Sequence, residues 1–152
     1  MQKTSLMKIT TNFLNGEEVE KLMDEIDKPL ILAITATILH AGLRVSEITN
    51  LGIGDVSLDE GTIHIRMSKG KKERVVPINK DLHKVLQEYE EIAVPDRSYY
   101  FATARSGHVT QQYVDKYLKK YGEKAGINKT VSAHVLRYTF AKHAFAPCNL
   151  SL

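Results

Sequence analysis

The stretch that decides the fold is PLILAITATILHAGLRVSEI, residues 29–48. Wound as a helix, residues 30–41 are apolar almost all round, so they are predicted to lie at the centre of the core. Pro29 suits the first turn of this helix, and Gly42 suits the left-handed residue that ends it. The apolar run is too short to span a bilayer. A short further helix is predicted over residues 44–51.

Amphipathic helices are predicted on both sides of this stretch. Upstream, Asn15 or Gly16 can cap a helix whose first turn places Glu17 and Glu18 at the positive end of its dipole. Apolar residues then recur at helical spacing, at positions 19, 22, 23 and 26. Downstream, the helical period returns over residues 80–92, 110–124 and 132–145.

Between these helices the period changes to that of strands. Residues 56–58, 62–67 and 73–78 alternate and are rich in β-branched side chains. Turns are predicted at 59–61 and near 69–71, and residues 99–102 read as a short buried segment. The predicted fold class is α+β: mostly helical, with a small three-stranded antiparallel sheet. No linker interrupts it, so we expect one domain over residues 13–145, a lead-in or linker remnant over 1–12 and an atypical tail over 146–152.

Composition narrows the class of protein. The chain has 152 residues, of which 43% are hydrophobic and 26% charged, a balance that can bury a core and excludes a disordered tail. The first residues do not read as a signal peptide, and the single Cys148 excludes an internal disulfide and a multi-cysteine zinc site. We therefore expect a cytoplasmic protein without a structural metal.

The net charge of +3 is unevenly distributed along the chain. Residues 1–60 carry a net charge of −5 and residues 61–152 a net charge of +8. Such asymmetry favours a basic face that meets a polyanion such as nucleic acid, although scattered surface charge gives the same totals.

Three clusters of residues are candidate functional sites. For the first two, the sequence alone allows both a functional and a structural role. Arg44 directly follows the central helix, and it is either an ion-pair partner, for instance of Glu47, or a clamp for an anion. The segment MSKGKKER, residues 67–74, carries four cations around Gly70. A hairpin tip of this kind can follow a phosphate backbone, or it can be a solvated, charge-protected edge.

The third cluster is on the predicted last helix. His134 and Arg137 are three residues apart and share one helix face. Their positive charges repel when the histidine is protonated, which makes a poor structural pair. Beside a phosphate, an arginine holds non-bridging oxygens while a histidine exchanges a proton near neutral pH.

Taken in order, AGLRVSEI (41–48), SKGKKERVVPI (68–78) and HVLRYTFAKH (134–143) resemble the catalytic domain of the tyrosine recombinases, the phage integrase family. The resemblance spans roughly residues 13–145. It implies site-specific cutting and rejoining of double-stranded DNA through a 3′-phosphotyrosyl intermediate. It also implies that the parent protein assembles as a tetramer on DNA and needs no membrane.

The resemblance assigns roles to individual residues. Arg44 and Arg137 correspond to the two arginines that clamp the scissile phosphate, and His134 to the histidine that assists proton transfer from the nucleophile. Lys69 corresponds to the lysine that protonates the 5′-hydroxyl leaving group, and Glu47 is expected to orient Arg44. The remaining cations, Lys71, Lys72 and Arg74, are expected to contact the DNA backbone. No metal or other cofactor is expected, because guanidinium groups supply the positive charge.

The chain departs from the family pattern after Arg137. A further His or Trp and then the nucleophilic tyrosine are expected there, but Tyr138 and His143 fit neither role. The other tyrosines all precede His134, at positions 89, 99, 100, 113, 117 and 121. The family's separate N-terminal helical domain has no counterpart either. We therefore expect a catalytic-domain fragment that is monomeric, binds DNA weakly and forms no covalent intermediate alone.

Three other interpretations stay open at this point. The chain can be a DNA-binding or regulatory protein without catalysis, which gains if Arg44, His134 and Arg137 point apart. It can be a metal-independent phosphodiesterase with His134 as base, which needs His143, Lys69 or His64 to converge on it. It can also be an interaction protein with a basic face and no nucleic-acid role.

Overall fold

Helices form most of the described part of the fold, and the apolar stretch at residues 29–41 supplies the central one. A computed structural model describes residues 12–66 and 73–144 of the chain. The helices of the described residues are α1 (Gly16–Glu25), α2 (Pro29–Ala41), α3 (Val45–Thr49), α4 (Lys80–Ile92), α5 (Gln111–Lys124) and α6 (Ala133–Ala144). Each of the helices predicted from periodicity is present, with α3 shorter than expected and followed by a 3₁₀ turn at Ile53–Asp55.

Helix α2 is buried along nearly its whole length, as its composition predicts. It packs against α4 and α6. Gly42 ends it in the left-handed conformation, with φ of 72°, and its amide donates to the carbonyl oxygen of Ile38 at 2.9 Å. The chain therefore leaves the core at a fixed angle just before Arg44.

The start of α1 is tied to the end of the fold. Asn15, not Gly16, is the cap: its side chain accepts from the Glu18 amide at 2.8 Å, and Glu18 accepts from the Asn15 amide at 2.9 Å. Lys129 donates to Glu18 and to the Phe13 carbonyl oxygen, both at 2.9 Å. These bonds fix the beginning of the described chain against the segment that leads into α6.

The sheet has three antiparallel strands, as predicted. They are β1 (Val56–Ser57), β2 (Thr62–Ile65) and β3 (Arg74–Pro77), in the order β1-β2-β3. Ile63 is paired with Val56 on one side and Val76 on the other, and its side chain is buried in the core with that of Ile65. The first predicted turn is present at residues 59–61, and the second lies outside the described residues.

A short buried segment follows α4, as expected for residues 99–102. Tyr100, Phe101 and Ala102 are buried, whereas Tyr99 is partly exposed and forms a bridge with Gly52. The predicted lead-in over residues 1–12 lies almost entirely outside the described residues, and the tail over 146–152 lies wholly outside them. Across residues 12–66 and 73–144 there is no helix long and apolar enough to cross a membrane.

Candidate active site

Arg44 lies in the short junction between the end of the central helix α2 and the start of α3. It is the residue that caps α3, and its side chain is exposed. Glu47, three residues on, reaches back so that its Oε1 accepts a hydrogen bond from the Arg44 amide at 2.8 Å. This contact fixes the backbone of Arg44 and leaves its side chain at the surface.

The carboxylate of Glu47 has a second partner on the sheet. Arg74, the first residue of β3, donates to Oε2 at 2.8 Å and to Oε1 at 3.1 Å, a two-pronged ion pair. The Glu47 side chain is 9% exposed. Burial alone raises the pKa of this carboxyl, but the bonds from Arg74 and the Arg44 amide outweigh burial and leave the pKa below its ordinary value. Glu47 is therefore ionised at neutral pH.

Arg137 approaches the same place from α6. Its Nε donates to the carbonyl oxygen of Gly42 at 3.0 Å, two residues before Arg44. Burial lowers the pKa of the Arg137 guanidinium, the charges of Arg44 and Arg74 lower it further, and Glu47 opposes them. The guanidinium charges of Arg44 and Arg74 therefore act on Arg137, and the carboxylate of Glu47 partly offsets them.

His134 lies one turn before Arg137 on α6 and is exposed. Its ring meets the ring of Tyr138 edge-on, with centroids 4.5 Å apart. The imidazole therefore lies at the surface, supported on one side by an aromatic ring. The tyrosine that sequence reasoning set aside is thus a neighbour of the histidine.

The hairpin cations divide into two groups. Lys69, Lys71 and Lys72 lie outside the described residues. Arg74 is described, and it pairs with Glu47 rather than standing free. We expected Glu47 to orient Arg44, and the contact runs through the Arg44 backbone while the guanidinium bound by Glu47 is that of Arg74. No local signal links residues 47 and 74, because the pair joins a helix to a strand 27 positions away.

The two other histidines considered for a phosphodiesterase have different partners. His64 lies on β2, and its Nε2 is 3.0 Å from a carboxylate oxygen of Glu73. His143 is nine residues after His134, about two and a half helical turns, which places it on the opposite side of α6. Its Nε2 is 3.3 Å from the Leu14 carbonyl oxygen. Neither histidine converges on His134.

The described residues offer no metal centre to this site. Among residues 12–66 and 73–144, no group of three or more His, Cys, Asp or Glu side chains is arranged to hold a metal ion.

Comparison with known proteins gives this arrangement a family. The sequence profile of the phage integrase family matches residues 12–145. The chain belongs to the phage integrase family. The match covers the α2–α3 junction, the sheet and α6 together, so every described site residue lies within the family region.

The curated relatives of this family member are named tyrosine recombinases. XerA of Pyrococcus furiosus is 34% identical over 148 residues, which cover 94% of this chain and 51% of that protein. XerC of Halalkalibacterium halodurans is 37% identical over 147 residues, covering 87% of this chain and 48% of that protein. The chain thus spans about half the length of the curated relatives it matches.

Solved structures agree with the family assignment. A crystal structure of XerA recombinase superposes with a TM-score of 0.80 at 32% identity, covering 87% of this chain and 49% of that one. XerH bound to its difH substrate in a pre-cleavage complex superposes with a TM-score of 0.73 at 28% identity, covering 88% and 42%. The lambda integrase catalytic core, at 16% identity and a TM-score of 0.70, shares the fold. The predicted fold class and family are both confirmed.

Proposed function

We propose that this chain is the DNA-binding catalytic part of a site-specific tyrosine recombinase, with Arg44 and Arg137 as the clamp for the scissile phosphate. One observation carries the proposal. Arg137 donates to the carbonyl oxygen of Gly42, two residues before Arg44, and the charge of Arg44 lowers the pKa of Arg137, while the carboxylate of Glu47 is engaged by Arg74. Two neighbouring cations whose charges repel would suit an anion with several charged oxygens.

This arrangement suits phosphoryl transfer. Charge on the non-bridging oxygens of a phosphodiester must be stabilised while one oxygen attacks and another leaves. Arg44 and Arg137 would bind those oxygens, and exposed His134 would take part in proton transfer to or from the nucleophile. In the same proposal Lys69 protonates the 5′-hydroxyl leaving group, and Lys71 and Lys72 contact the DNA backbone.

The partner proposed for this site is double-stranded DNA. The XerH structures that resemble this chain contain the difH substrate before and after cleavage. A second cationic surface supports a DNA partner: a groove of about 460 Å³ at the start of α5, whose lining contains no carboxylate. The groove is lined by Lys28, Thr103, Arg105, Ser106, His108, Thr110, Tyr113, Lys116 and Tyr117. We also propose a cytoplasmic location for the protein and a catalytic unit over residues 13–145, between the lead-in over 1–12 and the tail over 146–152.

None of the tyrosines in the 152 residues is assigned as the nucleophile. Tyr138 is the one that follows His134 in the sequence, and its ring packs on the ring of His134. We therefore propose that this chain binds DNA as a monomer without forming a covalent link, and that a recombinase containing it acts as a tetramer. A DNA-binding role without strand cleavage is the second candidate, favoured by the same observation.

Fluorescence anisotropy with a labelled DNA duplex tests the proposal over a series of salt concentrations. We expect binding that weakens as salt rises, and Arg44→Ala and Arg137→Ala each to weaken it by about tenfold and to reduce the salt slope by about one phosphate. Lys21→Ala removes an exposed lysine that lies 4.0 Å from Glu17 and serves as the control. A flat salt response, or equal effects of Arg44→Ala and Lys21→Ala, would contradict the proposal.

Covalent chemistry is tested separately with a nicked duplex that traps cleavage intermediates. We expect no protein–DNA adduct that survives denaturing electrophoresis. An adduct would assign a nucleophile within these 152 residues and remove the second candidate.

A further inference from the structure

We propose that Arg74 is a positioning residue, which acts through Glu47 to set the backbone of Arg44 and does not itself hold DNA. This inference rests on the proposed function, because it assigns Arg44 to the phosphate clamp. Arg74 then has an indirect role in place of the DNA-backbone contact expected from the sequence. The sheet that carries Arg74 helps to shape the phosphate clamp.

The contacts of Glu47 carry the inference. Its Oε1 accepts both from the Arg44 amide, at 2.8 Å, and from Arg74, at 3.1 Å, while its Oε2 accepts from Arg74 at 2.8 Å. One nearly buried carboxylate therefore joins the start of α3 to the start of β3. Both terminal nitrogens of Arg74 donate to Glu47, so the carboxylate sets the orientation of the guanidinium fork.

Helix α3 needs such support because it is short. It has five residues, and its capping residue Arg44 accepts one intrahelical bond, from the Ile48 amide at 3.0 Å. A single turn of helix is marginally stable by itself, because several residues lose conformational entropy while only one hydrogen bond forms. The direction in which Arg44 leaves the backbone therefore depends on the Glu47 contact, which in turn depends on Arg74.

The next turn of the chain is built on the same plan. Asp55 is 8% exposed, its Oδ2 accepts from the Gly52 amide at 2.8 Å, and its Oδ1 accepts from Arg66 Nε at 2.6 Å. In both cases a nearly buried carboxylate caps an amide three residues earlier and is held by an arginine at an end of a neighbouring strand. The recurrence indicates a structural device, and the Arg66–Asp55 pair provides a matched control that does not hold Arg44.

Amide exchange measured by NMR, without DNA, tests the positioning step directly. In Arg74→Lys, which keeps the charge but loses the fork, we expect the Arg44 amide to exchange faster by roughly threefold to tenfold, with the Gly52 amide unchanged. In Arg66→Lys the pattern should reverse. Unchanged exchange at Arg44 in Arg74→Lys overturns the inference whether or not the chain binds DNA.

A double-mutant cycle in DNA binding then separates the indirect role from a direct contact. We expect Arg74→Lys to weaken binding by roughly threefold to tenfold in the wild-type background and by less than about twofold when Arg44 is already alanine. Arg66→Lys should have little effect in either background. Equal losses in both backgrounds would make Arg74 an independent DNA contact and overturn the inference.

Failure of DNA binding and failure of a variant to fold lead to different conclusions. If wild-type protein shows no salt-dependent binding, the proposed function fails, and the exchange experiment still decides whether Arg74 positions Arg44. If Arg74→Lys does not fold, Glu47→Gln provides the second test, since it preserves shape while weakening both contacts. Loss of folding in both variants, with Arg66→Lys folded, would mean a structural role alone and overturn the inference.

Discussion

Gly42 has three roles, two of which depend on its having no side chain. It ends α2 with φ of 72°, a conformation that other residues adopt at a cost. Its carbonyl oxygen accepts from Arg137 at 3.0 Å. A Cβ placed on it would lie 2.3 Å from Cε2 of Phe140. Its role as a helix end could be predicted from sequence, whereas its contact with α6 could not, because residues 42 and 140 meet through packing alone.

Gly42→Ala should therefore cost more than backbone strain alone. We expect a loss of about 2–4 kcal/mol, made of left-handed strain and the displacement of Phe140. Gly126→Ala is the matched control, since Gly126 has φ of 76° but a Cβ added to it would meet nothing within 4 Å. That variant should lose only about 1–2 kcal/mol. Urea unfolding of the two variants measures both losses, and equal losses would contradict a packing role for Gly42.

At the scale of elements, the sequence pattern predicted each α-helix and each strand found in residues 12–66 and 73–144. The ends were less predictable because local side chains decide them. Helix α3 was expected to reach residue 51 and ends at Thr49. The side chains of Thr49 and Asn50 both donate to the Ser46 carbonyl oxygen, at 3.1 and 2.9 Å, and compete with continuation of the helix.

Helix α4 illustrates how one cap joins two elements. Asn79 accepts from the Leu82 amide at 2.8 Å and places its amide nitrogen 2.9 Å from Nδ1 of His40, in the last turn of α2. Burial lowers the pKa of His40, and Asp81 opposes this shift. The folded state therefore resists protonation of His40, so stability falls as pH drops through the ordinary range of histidine.

Replacing Asn79 tests this connection. Asn79→Ala should lose about 1 kcal/mol, since the cap is removed. Asn79→Asp keeps the cap and places a carboxylate beside His40, so the pKa of His40 should rise and stability should fall less between about pH 7 and pH 5. NMR titration of the His40 ring and urea unfolding check the two effects. A His40 pKa unchanged in Asn79→Asp would contradict the assigned contact.

At the scale of the whole molecule, the sequence indicates the cations of the proposed site but not their ion pairs. The resemblance identified Arg44 and Arg137 because they stand in recognisable segments, and the structure brings both to the end of α2. The Glu47–Arg74 pair was not found, since a charged residue has many possible partners in sequence. Only the folded chain, which brings the start of α3 to the start of β3, selects one of them.

Ion pairs between distant segments also determine how the folded molecule responds to acid. Burial raises the pKa of Glu18, but its bonds to the Asn15 amide and Lys129 outweigh burial and lower it. The Tyr121 hydroxyl holds the pKa of Asp27 low, and Glu47 is held low by Arg74 despite burial. A carboxyl whose folded pKa is depressed stabilises the fold above its unfolded pKa, and that contribution is lost as pH falls through the folded value.

Stability should therefore fall steadily as pH drops below about 5, the region where unfolded carboxyl groups begin to take up protons. Glu47→Gln should unfold at a lower urea concentration than the wild type at neutral pH. It should also lose less stability on acidification, because one of the contributing carboxylates is gone. Glu88→Gln, on the exposed face of α4, serves as the control and should follow the wild-type curve. Urea midpoints measured from about pH 7 to pH 3 provide the comparison. If the Glu47→Gln curve ran parallel to the wild-type curve, the Arg74 pair would add no pH-dependent stability, which would contradict the prediction.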